Sequence, residues 1–280
     1  MRRSEDEKYE LDPDDGLLRE LVGEWVQDKH AHIRNYIGSA RRARAKWIGG
    51  KKPGATYIEL YSGPGRARIR DTAKVIDGSA IAAWKETTAY GAPFTQIFIA
   101  DRRADLLSAC KQRLARLNAP VSSFCGEAAT VIDEIVAKMH TRALHCVLLD
   151  PYNLESLDFS IISKLAAFKR MDIIVHLSIG DGTRNAAEYV DQNSPLLEKF
   201  APGWQAYIDR NRGKQTITQQ LFQHWVEKVS AAGFKVSSNV DKIRNSQKSL
   251  MYWLVHLSKH SLPETLWKKT GDDPQFQLSL

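Results

Sequence analysis

The stretch Tyr57-Ile-Glu-Leu-Tyr-Ser-Gly63-Pro64-Gly65-Arg66 holds the first residues whose types and spacing could do chemistry. An apolar run ends there in a Gly-Pro-Gly turn, and glycine lets main chain approach a ligand with no Cβ in the way. In open α/β sheets, small ligands bind at the carboxyl ends of the strands. A dinucleotide would want GxGxxG, but Arg68 occupies the third glycine position, and the phosphate-cradling GxxxxGK[ST] is absent. A ligand with an adenosine and a cation but no phosphate fits better, and S-adenosylmethionine (SAM) is such a ligand. Gly63 and Gly65 are expected to cradle its methionine end, with Glu59, Tyr61 and Ser62 lining the same turn. The competing expectation is a plain strand-to-helix turn.

Three later strand ends could complete that site. Asp101 closes Gln-Ile-Phe-Ile-Ala-Asp and, with Arg102 beside it, is placed to accept from both hydroxyls of a ribose. It stands 36 residues beyond Gly65, so residues 66–78 read as an insertion. Cys125-Gly126-Glu127 ends the next strand, and Glu127 could accept from an adenine amine. Either acid could instead cap a helix. The fourth strand ends Leu149-Asp150-Pro151-Tyr152-Asn153. There Asp150, Pro151 and Tyr152 are the expected catalytic group: a carboxylate to hold an acceptor amine and an aromatic ring to stack on a base, at roughly 1–3 kcal/mol per base.

Other chemistries find less support. His176-Leu-Ser178-Ile-Gly180 has His where a GxSxG nucleophile elbow needs Gly. No Pro is followed by Cys, which sets aside a cytosine-C5 type of nucleophile. The acids come one per strand, too dispersed for a metal-dependent nuclease. Cys110, Cys125 and Cys146 form no CxxC pair, so neither a disulfide framework nor a zinc site is expected. No metal is expected.

These residues need a frame. From residue 56 the sequence alternates strand and helix. Strands are expected over 56–61, 95–100, 122–125, 145–149 and 172–177, with helices over 80–88, 104–117, 130–139 and 157–168. That alternation implies βαβ units and a parallel sheet. A helix over 217–232 then precedes two strands, 234–240 and 251–258, expected to pair antiparallel. Upstream, residues 1–16 carry seven acids and read as a loose tail. Residues 17–48 read as helix, from Leu17, Leu18, Leu21, Val22, Trp25 and Val26 at helical spacing. The expected division is tail 1–16, basic helical extension 17–55, α/β domain 56–262 and C-terminal tail 263–280.

Forty Lys+Arg against 33 Asp+Glu give a net charge of +7, and the pI is about 9.2, which favours an anionic partner. Arg41, Arg42 and Arg44, with Tyr36 and Trp47 interleaved, suit single-stranded nucleic acid. Arg66 and Arg68, beside the glycine turn, could meet its phosphates; both groups could also be solvated surface. The chain is 43% hydrophobic and 26% charged, usage that excludes a wholly disordered or collagenous chain. An N-terminus without an apolar run, and apolar stretches too short to span a bilayer, point to a soluble cytoplasmic protein.

The chain resembles the class I SAM-dependent methyltransferases. More narrowly, Tyr57–Arg66, Asp77-Gly-Ser-Ala, Leu149-Asp150-Pro151-Tyr152 and Tyr252-Trp-Leu-Val-His-Leu-Ser-Lys-His260 resemble the three-Cys-motif partner proteins, over roughly residues 20–270. These are bacterial methyltransferase-like proteins named for a neighbouring partner with three cysteines. The resemblance implies a Rossmann-like, doubly wound seven-stranded sheet with an antiparallel last strand, and a nucleic-acid-linked role. Ser62 stands where many relatives carry Ala, and Tyr152 where Phe is common. Asp-Pro-Tyr lacks the second Pro of the (Asp/Asn)-Pro-Pro-(Tyr/Phe) box of exocyclic-amine methyltransferases. Two functions follow as expectations: methyl transfer from SAM to nucleic acid, base N-methylation being one form, or a catalytically weak SAM-binding subunit of a modification, repair or defence system.

Overall fold

A computed structural model describes residues 6–178, 195–238, 241–244 and 250–268. The chain divides into two compact units, residues 1–147 and 148–280, with the boundary inside one strand.

The first unit contains β1 (Tyr9–Leu11), β2 (Leu18–Val22), α1 (Val26–Ser39), α2 (Arg41–Ala45), β3 (Ala55–Glu59), β4 (Arg66–Ile69) and β5 (Val75–Asp77). It continues through α3 (Ser79–Ala89), β6 (Gln96–Asp101), α4 (Ala104–Arg116), β7 (Val121–Cys125) and α5 (Ala128–Lys138) into β8 (Leu144–Leu149). The second unit holds α6 (Phe159–Leu165), β9 (Met171–Leu177), α7 (Pro195–Phe200), α8 (Lys214–Ala231), β10 (Lys235–Val236), β11 (Asp241–Arg244), β12 (Leu250–Ser258) and α9 (Ser261–Lys268).

The main sheet runs β10-β12-β9-β8-β3-β6-β7, with β11 on β12. In the first unit β3 pairs parallel with β6, Ile58 opposite Phe98, and β6 parallel with β7, Ala100 opposite Phe124. All five residues of β3 are buried, the mark of a parallel strand covered on both faces. In the second unit β12 lies antiparallel to β9, Val255 opposite Val175, and takes β10 and β11 antiparallel as well. This is the expected mostly parallel sheet with its antiparallel last strand. The parallel strands β3, β6 and β7 have their carboxyl ends at Glu59, Asp101 and Cys125.

The N-terminus corrects two expectations. Residues 6–16 are not a loose tail: a 3₁₀ turn leads into β1, and Asp12 is completely buried. Residues 18–22, expected as helix, are strand β2, which pairs antiparallel with β1 (Tyr9 opposite Glu20) and parallel with β4 (Glu20 opposite Ala67). The supposed insertion at 66–78 supplies β4 and β5, so a second sheet runs β1-β2-β4-β5. Val22, Ala67 and Ile69 form its own small core, against which Val26 and Ile76 pack. Strand pairing and this core override the helical spacing of the apolar residues. The helix begins only at Val26, after Gly23. The tail expected over 263–280 begins inside α9, and its residues 269–280 lie outside the described ones.

Candidate functional site

In the first unit the chain leaves β3 at Glu59, and the next six residues build the turn. Ser62 N–H donates to the Ala100 carbonyl at 2.9 Å, tying the turn to the end of β6. Gly63 N–H donates to Asp101 Oδ2 at 2.9 Å, and Arg103 N–H donates to Oδ1 at 2.9 Å. Gly126 N–H donates to the Asp101 carbonyl at 3.1 Å. The ends of three parallel strands are thus cross-braced through Asp101. Burial raises its pKa, against the opposing pull of the two N–H bonds and of Arg102 and Arg103. Each carboxylate oxygen accepts one of these N–H bonds and keeps further acceptor capacity.

Below the turn, Glu59 is 1% exposed and accepts from the Tyr57 hydroxyl at 3.0 Å and from the Ser79 hydroxyl. Gly63 and Gly65 both have positive φ, +54° and +77°, but for different reasons. A Cβ on Gly65 would meet Cys110 Sγ at 2.9 Å and Cys110 Cα at 3.2 Å, so packing forbids one. A Cβ on Gly63 would meet nothing nearer than Glu20 Oε2 at 3.9 Å. That is ordinary van der Waals contact, so packing does not exclude a side chain at Gly63, and its glycine answers to the positive φ. Cys110 is fully buried, and burial, reinforced by the Glu59 charge, pushes its thiol well above the ordinary range, so it serves as packing. Tyr61 is half-buried, and Arg102 and Glu127 are exposed at the ends of β6 and β7. Glu127 is the N-cap residue of α5, but its side chain makes no capping bond.

Sequence alone does not single out the clasp behind this turn. Arg113 on α4 is 7% exposed and forms a fork on Asp15, Nε to Oδ2 and Nη2 to Oδ1 both at 2.8 Å. Its Nη1 donates to the Leu18 carbonyl at 2.6 Å and to the Pro64 carbonyl at 2.7 Å. One guanidinium thereby joins the N-terminal strands to the centre of the Gly-Pro-Gly turn. The available signal is an arginine on the apolar stripe of Leu106, Leu107, Cys110 and Leu114.

The basic residues divide. Arg66 pairs with Asp14 at 2.6 Å and Asp12 at 3.1 Å, and Arg68 grips both oxygens of Glu10 at 2.6 and 2.9 Å. Their expected phosphate contacts are therefore replaced by the acids once assigned to a loose tail. Arg44 is 2% exposed and donates to the Ala92 and Ile37 carbonyls at 2.6 and 3.0 Å; burial lowers its pKa to about 10. It is a core residue and offers nothing to a nucleic acid. Arg41 and Arg42 remain exposed, and Arg41 lies over the exposed ring of Tyr90 at 5.6 Å.

In the second unit Asp150 follows β8, and Pro151 behind it is buried. Tyr152 is 59% exposed. Asn153 accepts from Ser156 N–H at 3.0 Å and from the Ser156 hydroxyl at 2.7 Å, fixing the turn that follows. Asp150 Oδ1 lies 2.8 Å from Nδ1 of His176, near the end of β9. The Tyr252 ring meets the imidazole edge-on at 4.0 Å. His176, noticed in the sequence only as a defect in a nucleophile elbow, is part of the Asp150 cluster; Ser178 ends the described stretch and Gly180 lies outside it.

Among the described residues no group of three His, Cys, Asp or Glu could hold a metal, and no helix is long and apolar enough to cross a membrane. No family model and no curated protein matches the chain. Among solved structures it is similar to a protein of Legionella pneumophila, at 10% identity over 84% of this chain and 88% of that one, with a TM-score of 0.49. It is also similar to the O-methyltransferase TomG of Streptomyces achromogenes in complex with SAM (10%, 81% and 79%, 0.45). A third is a Bacillus cereus O-methyltransferase in complex with SAH (12%, 81% and 80%, 0.44). With scores below 0.5, these likenesses leave the chemistry of the site to its own residues.

Proposed function

We propose that the chain is a SAM-dependent methyltransferase acting on nucleic acid. The observation that carries this is the braced turn: Gly63, in a left-handed conformation, is held by the Asp101 carboxylate, which retains acceptor capacity. Gly63 and Gly65 would seat the methionine end, with Glu59 setting the turn from below and Tyr61 and Ser62 flanking it. Asp101 would take the ribose hydroxyls, Arg102 would border them, and Gly126 and Glu127 would meet the adenine. SAM supplies an electrophilic methyl group; the chain supplies positioning, which accounts for most of such catalysis. Asp150, Pro151 and Tyr152 would face the acceptor, Tyr152 by stacking on a base. Arg41 and Arg42, with the net charge of +7, would attract the phosphate backbone.

A second reading keeps the SAM site but assigns the chain to a supporting subunit, with a three-cysteine protein as partner. The missing second Pro after Asp150 favours it. Incubation with methyl-labelled SAM and bulk RNA or DNA separates the two. Label on polymer, lost in Asp150→Ala, supports the enzyme. SAM bound without label on any polymer supports the subunit.

A further inference from the structure

We propose that His176 is the proton acceptor of the acceptor site, oriented by Asp150, and that the group methylated is a ribose 2′-hydroxyl of RNA. The inference rests on the proposed function, because it takes the acceptor to be nucleic acid.

Asp150 and His176 are both largely buried, with side chains 14% and 12% exposed, and their 2.8 Å approach joins a carboxylate oxygen to a ring nitrogen. The contact is a close approach of carboxylate to ring nitrogen, not an aligned hydrogen bond, since Nδ1 makes no well-directed bond among the described residues. A carboxylate charge 2.8 Å from Nδ1 favours the tautomer that carries its proton there. In the neutral ring that leaves Nε2 as the basic nitrogen. Nε2 is buried and has no hydrogen-bond partner among the described residues. A buried acceptor without a partner costs free energy. It is explained if a substrate hydroxyl fills the place. Tyr252, itself 4% exposed, fixes the plane of the ring by edge contact.

This arrangement changes what the Asp-Pro-Tyr segment can do. An exocyclic amine needs acceptors for its N–H bonds, and a carboxylate alone can serve. Here the carboxylate is directed at an imidazole, so the group offered to substrate is a nitrogen base. A hydroxyl is the acceptor that needs one. Its oxygen bonds to the methyl carbon as the carbon–sulfur bond breaks with its electron pair left on sulfur, and its proton passes to Nε2 and then to solvent. Within a nucleic acid chain the repeating hydroxyl is the ribose 2′-OH, which DNA lacks.

The first test needs no turnover. In protein labelled with ¹⁵N-histidine, ring-nitrogen NMR under mildly alkaline conditions reports where the His176 proton sits, the signal being assigned with His176→Gln. Nδ1–H is expected in the wild type. Asp150→Asn, whose amide can donate to Nδ1, should move the proton to Nε2. Nε2–H in the wild type overturns the proposal. The second test incubates the protein with methyl-labelled SAM and total RNA, followed by alkaline hydrolysis. A 2′-O-methyl group blocks cleavage of its own linkage, so label should appear in dinucleotides. Label in mononucleotides, or on DNA, or on no polymer despite bound SAM, overturns it. His176→Gln and His176→Asn should each lose at least about 100-fold in rate, the low end for a general base, with SAM affinity unchanged and the fold retained by circular dichroism. Activity preserved in a folded variant refutes the role. If the wild type binds no SAM, the proposed function itself falls, a result separate from any outcome of the tautomer experiment.

Discussion

Replacing Arg113 with Met should unfold the clasp behind the glycine turn. The substitution keeps an apolar stem and removes every donor. It strands Asp15, which loses both arms of a 2.8 Å fork, and the Leu18 and Pro64 carbonyls, which lose donors at 2.6 and 2.7 Å. The side chains of Arg113 and Asp15 are 7% and 11% exposed, so solvent screens the pair little. Removing one partner of such a buried pair costs about 3–5 kcal/mol, a large share of the roughly 5–15 kcal/mol that holds a typical domain. Urea unfolding measures it. Asp15→Asn in the Arg113→Met background should cost far less than in the wild type, because the two residues act as a unit. The pH dependence has a definite sign. Burial alone would raise the Asp15 carboxyl, but the Arg113 hydrogen bond, the Leu17 N–H and the charges of Arg113 and Arg66 outweigh it and lower the pKa below its ordinary 3.8. That contribution is complete above 3.8 and disappears as the pH falls through the lowered value. The gap between wild type and Arg113→Met should therefore narrow in acid. A loss below about 1 kcal/mol, or a gap independent of pH, refutes the clasp.

Gly63→Ala should cost only the roughly 1–2 kcal/mol of a left-handed alanine in thermal unfolding, yet reduce SAM binding by calorimetry more than 10-fold. Gly65→Ala adds overlap with Cys110 and should destabilise by a further ~1–3 kcal/mol; equal stability loss in both variants contradicts the assignment. Tyr152→Ala should leave stability within about 0.5 kcal/mol and weaken RNA binding in filter assays by about 5- to 150-fold, the equivalent of one stacked base. The Arg68 hydrogen bond, opposed by burial and aided by Arg19, lowers the Glu10 carboxyl from 4.5 to about 2. Its anchoring of β1 is full above pH 4.5 and lost toward pH 2, so the amide protection factors of β1 and β2, corrected for intrinsic exchange, should fall in that window and stay flat above it.

The α/β frame was legible because its strands are continuous apolar runs punctuated by glycine and proline. Tyr57–Leu60 and Val147–Leu149 cannot be surface, and the acids that end such strands can be picked out by position. The N-terminal sheet was not legible, since Leu18, Leu21 and Val22 satisfy a helical period as well as a strand, and the pairing of β2 with β1 and β4 comes from distant segments. Charge misled for a related reason. Arg44, Arg66 and Arg68 resemble free cations in composition, whereas their partners are carbonyls and acids brought close only by folding. His176 was hidden because its meaning depends on Asp150, 26 residues earlier.

Calorimetry of SAM and S-adenosylhomocysteine against the folded wild type and Asp101→Asn tests the central claim most directly. The wild type should bind both with one site per chain, and Asp101→Asn should bind about 10- to 150-fold more weakly, as loss of charged hydrogen bonds worth about 1.5–3 kcal/mol requires. Absence of binding by the wild type, or equal binding by the two proteins, contradicts the assignment of the turn.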